Sequence, residues 1–193
     1  MLINLKQLQK KLFMNNYSYT SDSKLLFDTL MSFSIRHMKC IELGFGDCEL
    51  SESLHSSFDF FVSLDIQKAN IHFSKSKNIK NIFLCDVKNP GIKQSSFDLC
   101  VFNPPFFRKG EGILSQDETR NINRHEIKAK LNDFINCACF AVKDRGLIVF
   151  VIPLSRLKEV KENLQLKIKY ISVIGANSKK ARVVIVSNKV KIL

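Results

Sequence analysis

The sequence predicts an α/β protein with a doubly wound, mostly parallel sheet of seven strands and helices on both faces. Three observations lead there. Short apolar runs recur along the chain, helix-compatible stretches separate them, and polar residues gather where the runs end. Five runs read as buried strands: KCIEL (Lys39 to Leu43), FFVSLD (Phe60 to Asp65), NIFLCD (Asn81 to Asp86), FDLCVF (Phe97 to Phe102) and GLIVFVI (Gly146 to Ile152). IKYISVI and ARVVIVS near the C-terminus supply two more.

Between them, CELSESLHSSF, KANIHFSKSK and KAKLNDFINCACFAV supply crossover helices. Residues 1–36 stand apart as an N-terminal helical extension. Its clearest helix runs from Ser23 to Phe33, after the polar turn YTSDS, whose Ser and Asp suit a helix start. Residues 37–193 then form the main domain. The polar stretch from Gly110 to Asn123 reads as a mobile loop over a site.

Composition narrows the class. A chain of 193 residues, 45% of them hydrophobic, can bury one sizeable core. It has no run of 18 apolar residues, and MLINLKQLQKKLF lacks the order of a signal peptide, so a soluble, cytoplasmic protein is expected. Six cysteines lie mostly inside apolar segments without a C-x-x-C pair. They read as buried free thiols, not as disulfides or metal ligands. Thirty Lys and Arg against 18 Asp and Glu leave a net charge of +12, which favours a polyanionic partner such as RNA, although a lysine-rich composition bias is the alternative.

The strand ends carry the chemistry. ELGFGDCEL follows the first strand, and Gly44 and Gly46 allow a tight turn that brings a ligand close to the backbone. Asp65 ends the second strand, where an acid can accept hydrogen bonds from ribose hydroxyls; Asp86 ends the third and Asn103 the fourth. Each has a plain structural explanation in turn-making or helix capping. Four such positions at successive strand ends point instead to one site.

These motifs, in this order, resemble the class I S-adenosylmethionine-dependent methyltransferases. ELGFGDCEL resembles the glycine-rich first motif, LDIQ places a ribose-binding acid at Asp65, FLCD an adenine-side acid at Asp86, and NPPF (Asn103 to Phe106) is the amino-methyltransferase motif. Cys48 stands where a third glycine is common. The resemblance implies S-adenosylmethionine as cofactor, a Rossmann-like fold, and an amine acceptor held by the Asn103 side-chain oxygen and the Pro104 carbonyl.

An exocyclic amine has its lone pair delocalised into a ring or carbonyl, so two acceptors that orient it and stabilise developing positive charge provide preorganisation. Pro104 and Pro105 restrict the backbone that carries one acceptor, and Phe106 can stack on a planar target for roughly 1–3 kcal/mol.

The closest resemblance is to bacterial tRNA adenine-N6 methyltransferases that modify a valine tRNA beside the anticodon. It rests on YTSDSKLL, NPPFFRKGEG, NRHE (Asn123 to Glu126) opening the next helix, and KKARVVIV. By this resemblance Thr20, Asp22 and Ser23 close the methionine end of the cofactor, and Asn103 belongs to the cofactor-binding set as well as to the amine site. Arg108, Lys109, Arg120, Arg124, Lys179, Lys180 and Arg182 are expected near the substrate side, where they would contact RNA phosphate. Arg124 and His125 also suit a helix cap or a tie between loop and core. Two readings stay open beside this one: glutamine methylation of a protein such as a release factor, and a non-catalytic RNA-binding module of the same fold.

Overall fold

Strands whose residues are apolar on both sides must be covered on both faces, and two helical layers do this here. A computed structural model describes residues 22–33, 35, 37–174 and 181–190. In chain order the elements are α1 (Asp22–Met31), β1 (Lys39–Leu43), α2 (Glu49–Leu54), β2 (Phe60–Asp65), α3 (Lys68–Ser76), β3 (Ile82–Leu84) and β4 (Phe97–Phe102). There follow α4 (Glu118–Arg124), α5 (Leu131–Ala141), β5 (Val142–Pro153), a 3-10 turn (Leu154–Arg156), α6 (Leu157–Lys161), β6 (Leu166–Ile174) and β7 (Arg182–Lys189).

The described strands form one seven-stranded sheet in the order β3-β2-β1-β4-β5-β7-β6. All pairings from β3 to β5 are parallel, and β7 runs antiparallel to both β5 and β6. The expected mostly parallel sheet is therefore present, with β7 as its reversed strand.

Alternate side chains separate two cores, as the period of two along a strand requires. Ile41, Leu43, Cys100, Phe102, Ile148, Phe150 and Ile152 face α5, which buries Leu131, Phe134, Ile135 and Ala138 against them. Cys40, Leu99, Val101, Val149 and Val151 face the other way, onto Leu25, Leu26 and Leu30 of α1 and Leu50 and Leu54 of α2. On the α5 side, Phe102 and Phe150 stack with ring centroids 4.6 Å apart, and Phe134 lies 5.7 Å from Phe102.

Three expectations need correction. The third strand is shorter than Asn81 to Asp86 and is not buried. It pairs on one side only, and Phe83 and Leu84 are about half exposed (54% and 51%). The apolar run had implied two covered faces, but an edge strand has a free side. Second, Gly110 to Asn123 is not all loop, since α4 begins inside it. The Asp117 carboxylate caps that helix by accepting the N–H of Arg120 at 3.1 Å. No residue of α4 is buried, so no apolar periodicity announced it. Third, NRHE closes α4 and does not open the next helix, because His125 has extended dihedrals and α5 starts only at Leu131.

The cysteines are free, and five of the six are buried. Cys48 takes the left-handed conformation (φ 67) immediately before α2, which explains why glycine suits this position; an L-residue there costs about 1–2 kcal/mol. Burial pushes its thiol up to about 12.

Because Leu26 is fully buried between α1 and the sheet, Leu26→Ala is expected to cost about 2–5 kcal/mol. Chemical denaturation should show one transition with a lowered midpoint. A separate early transition would mean that α1 unfolds independently of the sheet.

Candidate functional site

The sheet aligns its carboxyl ends before any side chain acts. Leu43 pairs with Leu64 on one side and with Phe102 on the other, so the backbone leaves all three strands at the same height. Gly44, Asp65 and Asn103 follow at that rim, and Cys85 N–H extends β3 by donating to the Asp65 carbonyl at 2.8 Å, which brings Asp86 to it as well. β1 lies between β2 and β4, where chain connections diverge and open a crevice.

A cleft of about 1150 Å³ occupies this crevice. Its lining includes Asp22, Ser23, Gly44, Gly46, Asp65, Asp86 and the whole run from Asn103 to Phe106, and also Arg120, Arg124 and Arg182. Arg108 and Lys109 are exposed on the turn beyond it. Arg108 pairs with Glu111 at 3.8 Å and Glu159 at 3.2 Å. Thr20, Lys179 and Lys180 lie outside the described residues.

The glycine loop is shaped by what surrounds it. Gly44 (φ +68) has the ring of Phe134 against it, and a Cβ there would come within 3.0 Å of Phe134 Cε1. Gly46 (φ +54) turns its N–H onto Asp65 Oδ2 at 3.0 Å, while Gln67 N–H donates to Oδ1 at 2.8 Å. Burial raises the Asp65 carboxyl above its ordinary range, with these N–H donors opposing the shift. Asp86 accepts the N–H of Lys88 at 2.9 Å and keeps a partly exposed carboxylate at the rim.

At the other end, Asp22 starts α1 and accepts Arg182 Nε at 2.9 Å. The Arg182 guanidinium then lies 4.6 Å from the centre of the Phe106 ring. Burial raises the Asp22 carboxyl, against the pull of Arg182. Asn103 is half-buried and faces no protein hydrogen-bond partner among the described residues, while Pro104 behind it is buried.

Sequence reasoning missed several participants. Glu42 is a buried carboxyl on the cleft floor that accepts Ser63 Oγ at 2.7 Å and also Ser51 Oγ. Its signal was an acid in the middle of the otherwise apolar strand KCIEL. Gln67 donates to Asn123 Oδ1 at 2.5 Å and Asn70 does so at 3.3 Å, which fastens α4 across the cleft mouth. Arg156, buried beneath the Asn103 turn, carried no pattern that would mark it in the sequence.

The described residues include no group of three His, Cys, Asp or Glu suited to a metal ion and no helix long and apolar enough to cross a membrane. An acid-lined cleft beside the half-buried Asn103 side chain can take a cationic ligand next to a polar group.

No protein-family model matches the chain, and no curated protein matches it. Solved structures do. An rRNA methylase from Streptococcus thermophilus superposes with a TM-score of 0.61 at 11% identity, over 91% of this chain and 100% of that one. The ribosomal protein L11 methylase from Lactobacillus delbrueckii subsp. bulgaricus gives 0.60 at 16% identity, over 91% and 80%. TrmN from Thermus thermophilus gives 0.60 at 12% identity over 87% of this chain, which spans about half (48%) of that protein. The shared property is the fold: this chain has the Rossmann-like fold of the class I methyltransferases.

Burial pushes the Glu42 carboxyl from its ordinary 4.5 up to about 7, although both hydroxyls favour its charged form. A raised folded-state pKa stabilises the protein below the unfolded value, and that stabilisation is lost as pH rises through about 7. Glu42→Gln keeps an oxygen for both hydroxyls and cannot ionise. Between pH 5 and 8 the native protein should therefore lose about 3 kcal/mol relative to the variant, read from denaturation midpoints. Parallel pH profiles would contradict the shift.

Proposed function

We propose that this protein is an S-adenosylmethionine-dependent methyltransferase acting on the exocyclic N6 amine of an adenine in tRNA, beside the anticodon of a valine tRNA. The observation that carries the reading is the meeting of Gly44, Gly46, Asp65, Asp86 and the Asn103–Phe106 turn in one cleft at the strand ends. Residues 1–36 serve as an extension on a 37–193 catalytic domain, and the protein works in the cytoplasm.

The residues present fit the cofactor. Gly44 and Gly46 bring bare backbone to the cleft wall, the Asp65 carboxyl lines the cleft where ribose hydroxyls would meet it, and Asp65 and Asp86 give the cleft acids that suit a sulfonium cation. Asp22 and Ser23, and Thr20 with them, hold the methionine end. When bound, S-adenosylmethionine would supply an electrophilic methyl group for transfer to an amine nitrogen.

The remaining work belongs to the chain. The Asn103 amide oxygen and the Pro104 carbonyl accept the two amine hydrogens and aim the lone pair, and they stabilise the positive charge that appears on nitrogen. The amine becomes acidic as the bond forms, so its proton passes to solvent without a dedicated base. Phe106 provides the stacking surface, where a flipped base replaces the planar Arg182 guanidinium as the ring's partner. Arg120, Arg124 and Arg182 at the mouth, with Arg108, Lys109, Lys179 and Lys180, supply phosphate contacts, and the net charge of +12 favours such a substrate.

The test is transfer of labelled methyl to tRNA from a strain lacking the gene, followed by digestion to nucleosides. Label is expected in N6-methyladenosine, and Asn103→Ala should lower the rate by about 100-fold or more. Label in protein glutamine would select the alternative acceptor. Cofactor binding without any transfer would select a binding-only role.

A further inference from the structure

Arg156 is a buried cation with no part so far in the chemistry. It follows β5 in the 3-10 turn and is 4% exposed. Its fork reaches three separate segments. Nη1 donates to the Pro105 carbonyl at 3.3 Å, Nη2 to Glu126 Oε1 at 2.7 Å, and Nε and Nη2 to the Glu159 carboxylate at 3.1 and 2.9 Å. Glu126 Oε1 also accepts the N–H of Leu131 at 2.7 Å, the first residue of α5.

The turn it touches has few other restraints. Pro104 and Pro105 have no N–H to donate. Among the described residues, the bond from Arg156 is the one hydrogen bond holding residues 103–106 beyond the sheet ladder. Just beyond it, Phe107 N–H donates to the Arg124 carbonyl at 3.0 Å and the Phe107 carbonyl accepts Glu126 N–H at 2.8 Å, while the Arg108 side chain reaches Glu159 at 3.2 Å. Glu126 thus meets both the far side of the turn and the guanidinium beneath it.

We propose that Arg156 is a positioning residue for the amine site. By holding the Pro105 carbonyl it fixes the Pro104 carbonyl and the Asn103 amide against the cleft, and through Glu126 it locks that turn to the junction between α4 and α5. The inference rests on the amine-methylation reading above. Arginine suits the task because its planar guanidinium offers five donors in fixed directions, so one group can serve a carbonyl and two carboxylates together. A lysine keeps the charge and cannot hold all three. Glu126 and Glu159 together balance Arg156 and Arg108, which Glu159 also meets at 3.2 Å, so the buried cation is neutralised without drawing on the cleft acids.

The test compares the native protein, Arg156→Lys and Glu126→Gln in three measurements: steady-state transfer to tRNA, cofactor affinity by calorimetry, and amide hydrogen exchange. Arg156→Lys is expected to lower kcat by about 10- to 100-fold, with KM for tRNA and affinity for cofactor each within about threefold. Amide exchange at Phe106, Phe107 and Arg108 should accelerate about tenfold or more, while β1 and β2 amides stay as protected as in the native protein. Glu126→Gln, which keeps an oxygen for both donors, should fall between the two.

An unchanged kcat in Arg156→Lys would overturn the proposal. So would a loss of cofactor affinity and β1 protection in step with kcat, since that is the pattern of a general stability role. If the native protein methylates no amine at all, the function reading fails by itself, and the exchange measurement still decides whether Arg156 holds the turn.

Discussion

Everything at the site depends on the register of three parallel strands. Because Leu43 pairs level with both Leu64 and Phe102, the next residues, Gly44, Asp65 and Asn103, emerge at one height around β1. A one-residue slip would turn each strand's side chains to the opposite face and separate the glycine loop from its acid. The Gly46 N–H on Asp65 and the Gly44 N–H on the Leu64 carbonyl, at 3.0 and 2.7 Å, tie the loop to the neighbouring strand that sets its position.

The core presses on that rim from below. Phe150, Phe102 and Phe134 form an aromatic chain whose last ring touches the space a Gly44 side chain would need, so packing on the α5 face defines the shape of the loop. Such a contact transmits volume changes, since protein interiors are close-packed. On the polar side, Glu42, Ser51 and Ser63 satisfy one another beneath the cleft floor, and no described buried side-chain N or O atom is left without a hydrogen bond. Buried polar groups are tolerated in this way only when their partners are complete.

Much of this was legible in the sequence, for identifiable reasons. The strands Lys39–Leu43, Phe60–Asp65 and Phe97–Phe102 are bounded by charged, small polar or glycine residues, and their apolar runs match the structure to the residue. The strand-end residues were readable because polar groups at the end of a buried run have few structural uses. What escaped notice lacked a periodic or compositional signal. α4 buries nothing, so its one mark was the Asp117 cap. β3 read as buried because its hydrophobicity is that of a central strand, while its place at the edge is decided by pairing. Arg156 and Glu126 lie 30 positions apart and become one network only through the fold.

The proposed site has two separable parts, a cleft for the cofactor made by the strand ends and a turn for the acceptor supported from beneath. The first is the foundation, and calorimetric titration of S-adenosylmethionine into the native protein and Asp65→Asn tests it most directly. One site is expected in the native protein, weakened by about 10- to 100-fold in the variant, the scale of a lost charged hydrogen bond. No binding to the native protein, or equal affinity in the two, would contradict the cleft's assignment.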